Sequence, residues 1–411
     1  MADPVNLAEF SNNQWYCYQV RQTVFYACFS REYLDKTRLT AMLGQIIDLA
    51  PHLLAASAVA DGPTLADDVA RELITSFETE TLADYPDAWP MHGTDLFERA
   101  NLPMVRLMAA NLREGPDADG WRSAFLAIST HSLFEGADAV QLVRSQSTAR
   151  DEPVPAGETG PVAPAWRRFF FAVAAAFAAP GQIILAELTV PREVDRHYRG
   201  LAVSRARLRA LAAAHEVSQR GLLYALALWC IHKHGNGFGK AALSTLLAEL
   251  NPNGGAHSDD PFFQYRMMGT KLRFAGDFAA FAKDLDSRIK AADFQKFNST
   301  QLLLSAMFRA HRWLKTRLPF LYSDKTFRYT AGYDFDLSLV PPLRPAGALT
   351  EALGEPVFGG MLHPGLECCV FTPTRRFVTF NFVLNSKRLP ALDGFENMLA
   401  EIEAKISRPA G

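Results

Sequence analysis

Residues 150–165, RDEPVPAGETGPVAPA, constrain this chain more than any other stretch. Proline locks φ and withholds a backbone donor, glycine adds conformational freedom, and the acids favour water. No helical or strand period runs through them, so they read as a linker or surface crossover. They divide the 411 residues into two halves, 1–160 and 161–411, which we expect to be two subdomains. A prior of roughly 150 residues per domain allows two or three.

Both halves mix strand and helix patterns. In the first, WYCYQVRQTVFYACF (15–29) is rich in aromatic and β-branched residues and predicts a strand. Leu39, Met42, Leu43, Ile46, Ile47 and Leu49 recur at helical spacing, and Pro51 ends that helix. Residues 66–77 read as a further helix, 102–111 and 121–129 as strands, and helix resumes at Ala139. In the second half, 183–189 predicts a strand. A helix pair follows at 204–217 and 218–234, with Ser218 as N-cap. Residues 265–274 look extended and 279–315 largely helical. Strands return around 333–340, 367–372 and 377–384, and a helix closes the chain at 395–406. Such interleaving gives a mixed α/β or α+β class.

Composition excludes several functions. Hydrophobic residues at 49% and charged residues at 21% are incompatible with a mainly disordered chain. Lys plus Arg is 42 against 44 for Asp plus Glu, so no basic footprint predicts a nucleic-acid partner. Five cysteines stand at 17, 28, 230, 368 and 369 without a C-x-x-C pair, which reads as reduced thiols and no metal site. The start, MADPVNLAEF, lacks the charged and apolar regions of a signal peptide, so a cytoplasmic protein is expected. FFFAVAAAFAA (169–179) would span about 16 Å as a helix, against a hydrocarbon core of about 30 Å. It is expected to be a buried crossover helix. The alternative is an interfacial helix that makes peripheral membrane contact through 169–179 and collects lipid-soluble substrates.

Of ten histidines, His131 has the most informative surroundings. It ends a hydrophobic strand and opens HSLFEGADAVQLV. An imidazole placed there can take a proton from a hydroxyl or amine at neutral pH. Glu135 can lock the local backbone, Gly136 allows a tight approach, and Asp138 can cap the next helix. By chemistry alone, a lone histidine beside an acid is more often structural than catalytic. His232 with His234 reads as a solvated helix end, His363 in GGMLHPG as loop, and Cys368–Cys369 as packing thiols.

HSLFEG resembles the H-x-x-x-D-G motif of the chloramphenicol acetyltransferase-like superfamily, which includes condensation domains of peptide synthetases and the wax ester synthase/diacylglycerol acyltransferase family. Other segments are similar in order: LDKTRLTAMLGQIIDLAPHL to the first helix, LRALAAAHEVSQRGLLYALAL to a second-half helix pair, RMMGTKLRF to an internal strand, LSLVPPL to the S-N-V-P-G-P stretch, and FVTFNFVLNSKRLPALDGFENML to the closing strand and helix. This chain departs from the pattern at Thr130, where the first of two tandem histidines often stands, and at Glu135, which replaces Asp. Thr270 and Leu339 stand where the family has Asn, and Pro342 where it has Gly.

The resemblance implies two acetyltransferase-like α/β subdomains packed as a pseudo-dimer, with a tunnel between them and His131 at its middle. It implies acyl transfer from a thioester, acyl-CoA first, to a small-molecule alcohol or amine. His131 would be the general base, without a covalent acyl-enzyme or bound cofactor. Arg21 would pair with Glu135, and Ser338 or Thr130 would contact the oxyanion or substrate. Two other readings stay open: a condensation-type enzyme using acyl carrier protein thioesters, and a catalytically inactive binding module. No G-x-S-x-G elbow offers another nucleophile.

Overall fold

The computed structural model describes residues 10–49, 73–83, 85, 105–131, 164–190, 195–234, 243–250, 265–274, 276–291, 298–323, 325–329, 334–340, 353–363 and 365–406. Its helices are α1 (Asn12–Val20), α2 (Lys36–Leu49), α3 (Ala165–Thr189), α4 (Arg205–Ala214), α5 (Gln219–His234), α6 (Phe278–Ala291), α7 (Asn298–Arg317) and α8 (Phe395–Ile406). The strands are β1 (Thr23–Ser30), β2 (Ile74–Thr79), β3 (Val105–Leu112), β4 (Ser123–Thr130), β5 (His197–Ser204), β6 (Leu243–Leu250), β7 (Tyr265–Leu272), β8 (Phe335–Leu339), β9 (Leu353–Leu362), β10 (Cys368–Pro373) and β11 (Phe377–Leu384).

Two mixed sheets organise these elements. One has the order β2-β3-β4-β1-β9, the other β5-β11-β10-β8-β6-β7. Each sheet buries one face under helices. Leu39, Leu43 and Ile46 of α2 pack with Leu107 of β3 and Trp15 of α1. In the second half, Leu222 and Leu226 of α5, Phe281 of α6 and Phe395 of α8 pack with Phe335, Phe371 and Phe380. The opposite faces of the sheets meet through Phe25, Ile128, Tyr198, Phe358, Cys368 and Val383. With both faces covered, β11 shows a nearly continuous buried run rather than alternation.

β9 joins the two layers. The chain leaves the second sheet after β8, adds β9 beside β1 in the first, and returns as β10. Its glycines permit a close approach: a Cβ on Gly360 would lie 2.5 Å from the Phe25 ring. Phe25 in turn meets Tyr198 edge-on at 4.9 Å, linking β1 to β5.

Some expectations need correction. Residues 12–20 are helix, not strand. Ser11 and Gln14 form a reciprocal capping box, and the aromatic side chains pack on α7 and the segment after it, Tyr16 on Phe308 at 3.9 Å and Trp15 on Phe327 at 5.8 Å. Residues 74–79 form β2, paired in parallel with β3, where a helix was expected through 77. The expected crossover helix and following strand are one helix of 25 residues, and Pro180 lies inside it. That helix is about 37 Å long at 1.5 Å per residue, more than twice the span first reckoned. It is largely exposed rather than buried.

Candidate active site

The strand register brings three distant residues to one end of the first sheet. Thr23 of β1 pairs with Thr130 of β4 on one side and Leu362 of β9 on the other. One residue further on, His131 N–H donates to Gln22 O at 2.8 Å, and His363 follows Leu362. His131, Gln22 and His363 therefore lie side by side at one sheet end. The buried Gln22 amide donates to Met361 Sδ, fixing β1 against β9 at that point.

Both histidines are buried and neutral. Loss of hydration around His131 pulls its pKa down to about 4. Burial takes His363 further, to about 3, and the positive charges of Arg196 and a protonated His131 act in the same direction. Gly365 N–H donates to His363 Nδ1 at 3.0 Å, so the neutral ring carries its proton on Nε2. The rings thus provide a neutral imidazole at His131 and an N–H donor at His363.

The second sheet supplies the facing polar groups. Asp336 and Ser338 alternate along β8 with Phe335 and Leu337, which belong to the helix-side core. The two polar side chains therefore face the first sheet. Asp336 pairs in register with Cys368, a member of the layer between the sheets. Burial pushes the Asp336 carboxyl up to about 7, and its Oδ1 has no hydrogen-bond partner. The Cys368 thiol is raised by burial and by Asp336, which leaves it un-ionised and donating to Met361 O at 3.4 Å. Glu367 is neutralised by Arg388 and accepts from Asn385 N–H at 2.6 Å.

The other expected site residues are placed unevenly. Ser338 is buried on β8, and Thr130 is fully buried on β4. Arg21 stands two residues ahead of β1, as the left-handed C-cap of α1 at φ 58°. Its exposed side chain lines an open groove of about 270 Å³ with Gln19, Lys315 and Phe327. Glu135, Gly136 and Asp138 lie outside the described residues. Sequence reasoning missed Asp336, and it read His363 as loop. Nothing local marks His363, since only the register of β9 against β1 sets it beside His131. Asp336 could have been found from the polar–apolar alternation of FDLSL. His232 stacks on Phe274 at 3.9 Å, and no group of three or more potential metal ligands occurs among the described residues.

No family model and no curated protein matches this chain. Solved structures do. The wax ester synthase/diacylglycerol acyltransferase from Marinobacter aquaeolei VT8 superposes with a TM-score of 0.53 at 13% identity, over 98% of this chain and 100% of that one. TRI101 of F. sporotrichioides, complexed with coenzyme A and T-2, gives 0.53 at 12% identity, over 94% and 97%. The first condensation domain of the CDA synthetase gives 0.50 at 13% identity, over 97% and 96%. At such identities the likeness defines architecture, and it extends through both sheets. The protein has the chloramphenicol acetyltransferase-like fold.

Proposed function

We propose that this protein is an acyltransferase that moves an acyl group from a thioester to an alcohol or amine. One observation carries the reading: buried His131, which opens the HSLFEG motif, shares one end of the first sheet with buried His363, on either side of Gln22. Full-length similarity to a wax ester synthase/diacylglycerol acyltransferase supports it.

The neutral His131 Nε2 takes the proton of the acceptor as its oxygen or nitrogen attacks the thioester carbonyl. The new C–O or C–N bond forms, the C–S bond breaks, and the proton passes from His131 to the departing thiolate. An imidazole with a pKa near 4 is a weak base, so the anionic intermediate must stabilise the imidazolium as it forms. Ser338 Oγ–H and His363 Nε2–H are the donors offered to the oxyanion, each worth about 3 kcal/mol if aligned. Acyl-CoA is the proposed donor, in line with the coenzyme A bound to the TRI101 structure. The apolar outer face of α3 favours a lipidic acceptor. The likeness to a condensation domain supports a second reading, with the acyl group delivered by a carrier protein.

Thiol release from acyl-CoA in the presence of mixed alcohols and amines tests the proposal. His131→Ala should lower kcat by about a thousandfold, within the range a general base contributes, while leaving the melting temperature near that of the parent. Near-normal turnover in that variant overturns the assignment. Consumption of carrier-bound acyl groups alone would select the second reading, and inertness with both donors a binding module. In the active protein kcat/KM should stay level from neutral pH to about 5 and fall as His131 protonates near 4. An ordinary histidine would already have lost half its activity near pH 6.5.

A further inference from the structure

Helix α3 turns three of its alanines inward and most of its aromatics outward. Ala175, Ala179, Ile183 and Ala186 are its buried residues, and Ala175 and Ala179 pack with Met307, Ala306, Ala310 and Leu314 of α7. Trp166, Phe169, Phe170, Phe177, Ile184 and Leu188 are 62–82% exposed. Trp313 of α7 and Phe320 just beyond it add 61% and 79%. A surface helix in water does the reverse, and scattered exposure of single apolar residues does not produce a continuous face. Between the helices runs an open groove of about 750 Å³, lined by Phe169, Ala172, Ala176, Leu302 and Trp313, with Arg168 and Arg309 also on its wall.

Charge narrows the choice of occupant. Arg167, Arg168, Arg309 and Arg317 are exposed on these two helices, whose only acidic residue is Glu187. That acid is already engaged by Ser323. A tryptophan stands near each cationic cluster, and the Arg167 guanidinium lies 5.6 Å from the Trp166 ring centre. Aromatic, cationic and acid-poor is the composition of a face that meets anionic headgroups. The described part of α3 is long and apolar enough to cross a bilayer. It is fastened along one side instead: His311 Nε2 donates to Gln182 Oε1 at 3.0 Å, and Lys325 Nζ to Glu187 O at 3.1 Å. A helix held this way presents one face to lipid.

We infer that the outer face of α3 and α7, from Trp166 to Leu188 with Trp313 and Phe320, docks on an anionic lipid bilayer. The aromatic and aliphatic side chains enter the headgroup–acyl boundary, and Arg167, Arg168 and Arg309 meet the phosphates. This surface stands on exposure and charge, independent of the acyl-transfer reading.

Flotation of the full chain with vesicles tests it, using phosphatidylcholine alone and an equimolar mixture with phosphatidylglycerol. Binding should appear on the mixed vesicles and weaken with salt. Phe170→Asp with Phe177→Asp should lower partitioning by more than about tenfold, because two buried aromatic contacts are lost. Arg168→Glu with Arg309→Glu should lower it by about fivefold or more per charge. Thiol release measured without lipid should be unchanged in both double variants. Absence of flotation, equal binding to neutral and mixed vesicles, or flotation unaffected by the substitutions would each overturn the inference. A lipid-free dimer that Phe177→Asp dissociates would also overturn it, by assigning the face to a second copy.

Discussion

Helices α5 and α3 are both apolar, yet they sit in opposite environments. Ten of the 16 residues of α5 are buried, on every side, from Gly221 to Ile231. Of the 25 residues of α3 only four are buried. The difference lies in their neighbours. α5 passes between the second sheet and helix α6, where Gly221 lets Asp286 come so close that a Cβ would collide with it. α3 packs chiefly on α7, along one side where Ala175 and Ala179 lie, and its end is tied to Ser323 and Lys325. Apolar character therefore does not say whether a helix is core or surface. The number of faces with a partner does.

Substitution should expose the contrast most strongly with a charge. Leu226→Asp places an unpaired carboxylate in the core around α5 and should cost more than about 4 kcal/mol, enough to prevent folding. Phe177→Asp on α3 should fold normally. Chemical denaturation of both checks this, and equal losses would break the comparison.

A pH titration gives the next effect. His311 fastens α3 to α7, and burial holds its pKa down to about 4 against 6.5 in an unfolded chain. Between those values the unfolded chain binds more protons than the folded one, so stability rises with pH. The contribution is complete above about 6.5 and disappears progressively as pH falls toward 4. His131 and His363 act in the same direction. His311→Gln should flatten part of the slope in denaturation midpoints between pH 7 and 5. An unchanged slope would remove His311 as the fastening.

Truncation to alanine draws the same contrast without a charge. Leu226→Ala should cost about 2–5 kcal/mol through the cavity it leaves. Phe177→Ala should stay within about 0.5 kcal/mol. Comparable values for the two would place α3 in a core.

Much of the fold could be read locally. The strand at 377–384 and the helix at 395–406 coincide with their expected spans because the β-branched and aromatic run, and then the helical period, change over a few residues. The helix pair around Ser218 is equally plain: its hydroxyl accepts from Gly221 N–H at 3.0 Å, as an N-cap should. β9 was not legible, since LGEPVFGGML has the glycines and proline of a loop and becomes a strand only by filling the place beside β1. The start of the chain misled for a related reason: WYCYQV has strand-like residues, while a capping box and aromatic packing on Phe308 and Phe327 make it helix.

The sequence by itself determined the placement of His131, at the end of a hydrophobic strand and the head of a motif. It also determined the periodic elements, because strand and helix periods are properties of neighbouring residues. Only the tertiary structure decided that His363, 232 positions away, shares its sheet end, that Asp336 and Ser338 turn toward the first sheet, and that α3 is exposed. Those outcomes depend on strand register and on which surfaces find partners. Both are contacts between segments far apart in the chain, and no local pattern encodes them.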